Sequence, residues 1–593
     1  MANITTEVLI VGTGPGGASL AAFLSEYDIP TTIIEKQPFT TPEPRAHVTN
    51  MGAMECIRDM GLETAVKEQG AHYSAMPLRR YCHTITGQEY FRNYISNQVL
   101  SMKGEYESAS PCTHVDIPQN LLEPILIKKA CQSDVKVRWN TEFISYEENA
   151  SGILSTCRDL ETGLRLYIQS RFLCGADGGR STLVKQIGAK LAGPREVPDT
   201  CYSISFKANM EHIFARCPVF MHFIVQPDKE FNPNCMVASL RVIRPFSQFQ
   251  LIAIPTPGAP PLKKLDDVNW VEVISRLIGD PSVKIDIFTK TKWRVNEVVA
   301  DFYSKGNVFC LGDAVHRHPP ANGLGSNTSI QDAYNLAWKI AYVSKGIASH
   351  ELLATYNAER QPVGAQVVKR ANDSWRIDQE VFEAMGMLEP TVEKRAEILA
   401  EMESDSKRGR ALRGKLDKAF HNTAWQFQTC GAEMNQFYRS RAIYIDDEPA
   451  GAREPKHPVD RDLYYARGTI PGMRLPHAWL ATKSLDHDLS TQDLAGHGCF
   501  ALFTGIGGKS VWTKAATDAS EKFPGLKIRV FGIGWGQDYL DAMHTWRDVR
   551  GVEEDGAVLV RPDRFVCWRT SKSMNVQAAA EKLERVIKAV LCW

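Results

Sequence analysis

The sequence predicts an α/β protein built on a doubly wound parallel sheet. Three observations lead there. The β-branched run Val8-Leu9-Ile10-Val11 reads as a buried strand and runs into Gly12-Thr13-Gly14-Pro15-Gly16-Gly17. Ala18 to Glu26 reads as a helix and Thr31 to Glu35 as a second strand, so the chain opens β-α-β. Two later strands end in glycine–acid pairs. Arg171 to Cys174 leads into Gly175-Ala176-Asp177-Gly178, and Asn307 to Leu311 leads into Gly312-Asp313, with Asn322-Gly323-Leu324-Gly325 following.

The remaining elements follow in order. Pro38 to Pro44 is a Pro/Thr-rich loop, Asn120 to Ala130 a helix, and Val135 to Trp139 an alternating strand. From about Thr200 to Gln250, runs such as Val219 to Val225 and Val237 to Val242 predict a β-rich insert. A helix is expected from about Ser329 to Val343, and Glu393 to Ala419 reads as a charged, helical connector. From about Pro471 the chain alternates strands (Phe500 to Phe503, Ile528 to Val530) with helices (Ala578 to Val590), which suits a compact α/β module. The expected division is 1–199 for a first nucleotide-binding part, 200–290 for the insert, 291–385 for the second part, 386–465 for the connector and 466–593 for the module.

Bulk properties exclude several classes. The 593 residues are 44% hydrophobic and 23% charged, as in an ordinary globular protein. Zero formal net charge favours neither nucleic acid nor an anionic membrane. Fourteen cysteines without a CxxC pair argue against zinc ribbons and dithiol redox chemistry, and suggest a reducing compartment. The apolar start lacks a basic n-region, carries Glu7 and is interrupted by the glycine turn, unlike a signal peptide. No run is long enough to span a membrane, and Leu591-Cys592-Trp593 is neither a CaaX box nor a peroxisomal signal. The expectation is a soluble cytoplasmic protein.

Gly12, Gly14 and Gly17 fit GxGxxG between strand and helix. Backbone amides at that helix start hold a pyrophosphate, which the helix dipole favours. Glu35, at the end of the second strand, suits a ribose hydroxyl. This motif alone does not separate FAD from NAD. Three other patterns have bland readings. His316 and His318 form an HxH with no third ligand in sight, so no metal is expected. Gly507-Gly508-Lys509-Ser510 ends like a phosphate loop, but Phe503 replaces its first glycine. Cys499 and Cys567 read as core residues.

Taken together, these segments resemble the class A flavoprotein aromatic monooxygenases. The stretch from Asp313 to Lys339 is similar to the phenol hydroxylase branch, above all to the 2,4-dichlorophenol 6-monooxygenases. So are Pro44-Arg45-Ala46-His47-Val48-Thr49-Asn50, Ile117-Pro118-Gln119-Asn120, Arg241-Val242-Ile243-Arg244-Pro245 and Gly556 to Asp563. The resemblance covers nearly the whole chain. It implies a Rossmann-like FAD-binding domain of the PHBH type, an inserted β-rich substrate domain and a C-terminal thioredoxin-like domain. It also implies FAD as cofactor, NADPH (or NADH) as transient reductant, O2 as co-substrate and a small aromatic substrate, and it leaves a homodimer open. One oxygen atom would enter a phenolic ring by way of a flavin C4a-hydroperoxide.

Carried over, Gly12, Gly14, Gly16 and Gly17 with Glu35 and Lys36 hold the ADP half of FAD. Arg45 lies along the flavin and Gln119 contacts the cofactor. Asp177 sits near flavin and pyridine nucleotide, and Asp313 on the ribityl or ribose region. Gly323, Leu324, Gly325, Ser326 and Asn327 lie against the isoalloxazine. His47, Arg241 and Trp293 are the catalytic candidates. The sequence departs from the pattern in three places: Val184 stands where the Asp-Gly fingerprint ends in Arg, His47 where phenol hydroxylases have Asp, and Trp293 where they have Tyr. His47 matches the dichlorophenol hydroxylase pattern and is the candidate base for a phenol, because imidazole titrates near neutrality. Arg241 suits an anionic substrate or a strand-surface ion pair, and Asp116 and His114 suit assistance in the pocket or loop structure. A tailoring monooxygenase of secondary metabolism acting on a polyketide-like aromatic is the alternative reading. A flavin-binding protein without turnover is the reading from another class.

Overall fold

The computed structural model describes residues 4–193, 200–215, 218–231, 235–256, 260–457, 460–483, 488–572 and 574–593. The expected 199/200 boundary adjoins 194–199, outside the described residues.

The opening β-α-β is present as strand Ile4–Val11, helix Pro15–Glu26 and strand Thr31–Ile34. Val8 to Val11 and Ile33 to Ile34 are buried, as a parallel sheet covered on both faces requires. The main sheet runs Ser304–Lys305, Val308–Cys310, Arg165–Gly175, Ile4–Val11, Thr31–Ile34, Val135–Arg138, and its four central pairings are parallel. The register places Val11 beside both Gly175 and Ile34, and Gly175 beside Cys310. All three glycine segments therefore leave the sheet at one carboxyl edge, where open α/β sheets bind ligands. Helix Gly325–Ser344 packs on Pro15–Glu26 and lies in the same core.

A second sheet has seven strands in the order Asp286–Arg294, Thr200–Lys207, Gln248–Pro255, Cys235–Arg244, Val219–Val225, Leu78–Cys82, Glu89–Tyr94. Its membership differs from the expected insert. Strand Asp286–Arg294 runs across the boundary expected at 290/291, and two strands come from before residue 199. Leu78–Cys82 joins by parallel pairing to Val219–Val225, a contact between distant segments with no local signature. The connector is built from separate helices. Helix Ala354–Ala384 runs 31 residues, and Val392–Glu403 and Lys407–Phe427 follow as separate helices. The break falls at Ser404 to Ser406, where Ser406 Oγ accepts from Gly409 N at 2.8 Å and caps the second helix.

The last module holds a four-stranded sheet, Ile528–Gly532, Phe500–Thr504, Ala557–Val560, Val566–Thr570, covered by helices Lys509–Lys522 and Val576–Val590. It shares a core with the nucleotide-binding part. The Phe500 ring meets Trp338 edge-on at 6.2 Å, and Tyr342 donates to Gly498 O at 2.9 Å. Lys509 Nζ donates to Val530 O at 2.7 Å, so its ammonium is held within the module. Burial pushes the Cys499 and Cys567 thiols up, away from the thiolate form.

Candidate active site

At the carboxyl edge the glycines divide by role. Gly12 has φ +102°, and a Cβ there would lie 2.4 Å from Ala176 O. A Cβ on Gly17 would lie 2.0 Å from Gly12 O, and one on Gly16 would lie 3.3 Å from Leu311 Cδ1. These glycines let strand, turn and helix close on each other. Gly14 differs: its φ is −60°, and a Cβ would meet nothing within 4 Å. It stands at the N-cap of helix Pro15–Glu26, whose first residue is proline, and it faces open cleft. That is the space an anion takes against a helix N-terminus. Gly14→Val should therefore leave the fold intact and weaken FAD binding on the order of a hundred-fold, checked by fluorescence titration of the apoprotein. Gly17→Ala should instead destabilise the turn itself.

Glu35 Oε2 accepts from Thr13 N at 3.0 Å and Thr13 Oγ at 3.1 Å, and Oε1 accepts from Gln37 N at 3.0 Å. The carboxylate thus faces the turn from the next strand end, with Lys36 exposed beside it. Asp177 lines the cleft, but its Oδ2 accepts from Thr182 N at 2.7 Å and Leu183 N at 3.3 Å. It braces the start of helix Thr182–Ile187, which carries Val184 and Lys185. Asp313 is exposed at the cleft beside Gly312, whose φ is +64°. Where the chain enters helix Gly325–Ser344, Gly323, Gly325 and Ser326 line the cleft, whereas Leu324 and Asn327 are buried beneath it. Asn327 Nδ2 donates to Val48 O at 2.8 Å and its Oδ1 accepts from Asn50 N at 3.0 Å. Its side chain fastens this helix start to the segment after His47.

His47 is positioned by a short ladder. Val48 and Thr49 pair antiparallel with Val115 and Asp116, Ile117 N donates to His47 O at 2.7 Å, and Gln119 N donates to Ala46 O at 2.7 Å. This register sets His47 Nδ1 3.0 Å from Asp116 Oδ1. Asp116 is 2% exposed, and burial pushes its carboxyl well above the ordinary range. Phe220 stacks on the imidazole at 5.1 Å. His114 is elsewhere engaged, with Nε2 3.0 Å from Glu433 Oε1. Gln119 Nε2 donates to Glu123 at 2.6 Å, and Arg45 is exposed at the cleft with Nε on Glu43 at 3.0 Å.

Arg241 is buried, and burial pulls its guanidinium down to about 9. It donates to Pro44 O and, at 2.9 Å, to Arg45 O. The expected strand-surface ion pair is corrected: the second sheet uses this side chain to pin the backbone that carries His47. Trp293 lines the cleft and donates its indole N–H to Ser203 Oγ at 2.9 Å. His316 is fully buried against Asp332 at 3.0 Å, and no cluster that could hold a metal occurs among the described residues.

One continuous cleft of about 2040 Å³ joins the nucleotide edge, the His47 segment and the second sheet. Pockets for one small ligand measure roughly 300–1,000 Å³. The open cradle at Gly14, the acid at the next strand end and the exposed Asp313 together fit a dinucleotide such as FAD.

Comparison with known proteins is decisive. The FAD binding domain family matches residues 5–371, and the aromatic-ring hydroxylase C-terminal family matches residues 468–591. The chain belongs to the FAD-dependent aromatic-ring hydroxylases. It is 36% identical to 2,4-dichlorophenol 6-monooxygenase of Delftia acidovorans, over 99% of this chain and 98% of that protein. It is 37% identical to phenol 2-monooxygenase of a Pseudomonas species, over 95% and 90%. Among solved structures it superposes on the flavin-dependent monooxygenase PieE in complex with FAD and substrate, with TM-score 0.92, 35% identity and full coverage of both chains. As an FAD-dependent monooxygenase it uses NAD(P)H and O2. No helix of the described residues is long and apolar enough to cross a membrane.

Two features of this monooxygenase's cleft lie beyond what residue type conveys. Asp116 pairs with a histidine 69 positions away, which residue types alone do not reveal. Trp375, Asp378 and Gln426 line the cleft from two helices that the sequence suggests only in part.

Proposed function

We propose that this monooxygenase inserts one oxygen atom into a phenolic ring, with His47 as the base that draws the phenol proton. The observation that carries this reading is the His47–Asp116 pair at the cleft. The role requires the ionised Asp116, which accepts from Nδ1–H, leaves Nε2 as the basic nitrogen and pairs with the imidazolium formed on proton uptake; burial opposes that ionisation and the facing imidazole favours it. A phenol has a pKa near ~10, by analogy with tyrosine, and removing its proton makes the ortho carbon electron-rich. Asp116 and Arg241 act through His47: one orients the ring, the other holds its backbone. Phe220 packs against the imidazole and excludes water from it. Trp293 forms part of the cleft wall.

On the cofactor side, Gly12, Gly14, Gly16 and Gly17 would hold the pyrophosphate, and Glu35 with Lys36 the adenosine ribose. Arg45, Gln119, Asp177 and the backbone of 323–326 would lie along the flavin, and Asp313 on its hydroxyl-bearing chain. When bound, FAD accepts hydride from NADPH or NADH and activates O2. The names of the curated relatives, which act on phenol and dichlorophenol, support a phenolic substrate. A tailoring reaction on a larger polyketide-like aromatic is the second reading. It is favoured by the volume of the cleft and by similarity to an aklavinone-11 hydroxylase bound to FAD and aklavinone, at TM-score 0.79 and 25% identity.

The test is a panel of phenols and larger hydroxylated aromatics, followed by oxygen uptake, NAD(P)H oxidation and product mass. A product heavier by one oxygen from a phenol supports the first reading, and oxidation that no aromatic stimulates would refute both. Asp313→Ala should weaken FAD binding roughly ten- to hundred-fold with the fold retained, since a charged hydrogen bond is worth about 1.5–3 kcal/mol. Unchanged affinity by titration would remove Asp313 from the site.

A further inference from the structure

The wall of the cleft built by the connector helices carries polar atoms that the reaction described above leaves unused. Helix Ala354–Ala384 contributes Trp375 and Asp378, and helix Lys407–Phe427 contributes Gln426. Asp378 is 6% exposed, and its Oδ1 has no hydrogen-bond partner among the described residues. The same holds for Gln426 Oε1 and Trp375 Nε1. Buried polar atoms are ordinarily paired, so three orphans on one cleft-facing wall call for partners that the protein itself does not supply. Burial raises the Asp378 carboxyl to about 7, against the pull of Arg79 and Gln426. Arg79 does not close on it: its Nε donates to Asn93 Oδ1 at 2.5 Å, and Nη2 donates to Thr423 Oγ.

The wall is tied to the oxidising end of the cleft. Asn322, at φ +65° in the loop before helix Gly325–Ser344, donates from Nδ2 to Gln426 O at 2.7 Å. Phe382, one turn beyond Asp378, packs with Phe223 and Val237 of the second sheet. An aromatic ring between sheet and helices thus meets apolar side chains on one side and this polar cluster on the other.

We propose that Asp378, Gln426 and Trp375 form a recognition point for a hydroxyl-like substituent on the substrate, separate from the phenol hydroxyl that His47 takes. Oδ1 accepts its single proton and the Trp375 indole N–H donates to its oxygen, with Gln426 Oε1 as the alternative acceptor on the same wall. The substrate class is then an aromatic that carries a second group able both to donate and to accept, rather than a simple alkyl- or halophenol. The inference rests on the phenolic reading of the cleft.

The experiment uses the FAD-loaded enzyme and measures dissociation constants from the absorbance change of the oxidised flavin. The probes are 3- and 4-(hydroxyalkyl)phenols, each paired with the alkylphenol lacking the terminal hydroxyl. In the parent the best hydroxyl-bearing phenol should bind about ten-fold tighter than its partner, the worth of a charge-assisted hydrogen bond. Asp378→Leu should bring that ratio to one or below. Trp375→Phe should lower it, and Asp378→Asn should keep part of it, because an amide oxygen still accepts. If Asp378→Leu does not take up FAD, the other two variants decide by the same ratio. Equal binding of the pair by the parent, or variants that weaken both ligands equally, would overturn the proposal and assign the cluster to bound water. His47→Ala should keep the ratio while losing product, so failure of the base assignment is read separately.

Discussion

Replacing His47 by alanine should leave FAD bound and reducible while oxygen insertion into phenols falls by roughly 10²–10⁴-fold, the usual worth of general-base assistance. NAD(P)H oxidation should then continue with its electrons appearing as hydrogen peroxide. The geometry makes this specific. The histidine backbone is held by the ladder to Asp116 and Ile117 and by Arg241 on Pro44 and Arg45, none of which needs the imidazole. The ring can be removed without releasing the segment. Asp116→Asn should give a smaller loss, because the amide can still accept from Nδ1–H but no longer balances the imidazolium. The measurement is product formed per NAD(P)H oxidised across roughly pH 6–9, about the imidazole pKa. A mutant that couples like the parent over that range would transfer the role of base to another cleft residue. Loss of FAD would make His47 a structural prop.

Glu359→Gln should cost roughly 3–5 kcal/mol of stability where the C-terminal module docks, the typical result of removing one member of a buried charge network. Glu359, Lys339 and Arg561 are each at most 1% exposed. Lys339 donates to Glu359 Oε2 at 2.7 Å, and Arg561 donates to Oε1 at 2.6 Å and to Oε2 at 2.9 Å. Asn335 and Ser440 complete the carboxylate, and Asp563 shares Arg561 at 2.6 Å. Glutamine would leave two buried cations facing one carboxylate. Burial alone would raise the Glu359 carboxyl, but Arg561 and Lys339 outweigh it and hold it well below the ordinary range. Its contribution is therefore present above the unfolded glutamate value of about 4.3 and is lost as pH falls through the folded value. Hydrogen exchange in Ala557–Val560 and Val566–Thr570 should rise in the variant at neutral pH, and in the parent only in acid. Unchanged protection would show that the apolar contact at Phe500, Trp338 and Tyr342 suffices for docking.

How much of this was legible in the sequence depends on how local each feature is. The opening β-α-β was readable because its strand, turn and helix are contiguous, and because Gly12 and Gly17 answer steric demands that no other residue meets. The Gly175 and Gly312 segments were readable for the same reason. Their family resemblance named the cofactor and the aromatic chemistry, and the comparisons bear this out. Residue type could not say which groups share a partner. It could not show that Asp177 braces a helix through Oδ2 while Oδ1 stays unpaired at the cleft, or that Asn327 clamps Val48 and Asn50. Nor could it show that Arg241 places Nη2 on two backbone carbonyls. Strand Leu78–Cys82 gives no hint of its place beside Val219–Val225. By itself the sequence determined the sheet order's beginning, the glycine turn and the family. Only the tertiary structure decided that His47 faces Asp116, that Arg241 holds its loop and that Asp378 lines the cleft. The reason is physical. Backbone sterics act within a few residues and leave a mark in residue choice, whereas side-chain pairing across 69 or more positions is set by strand register and helix packing, which become defined only when the whole core closes.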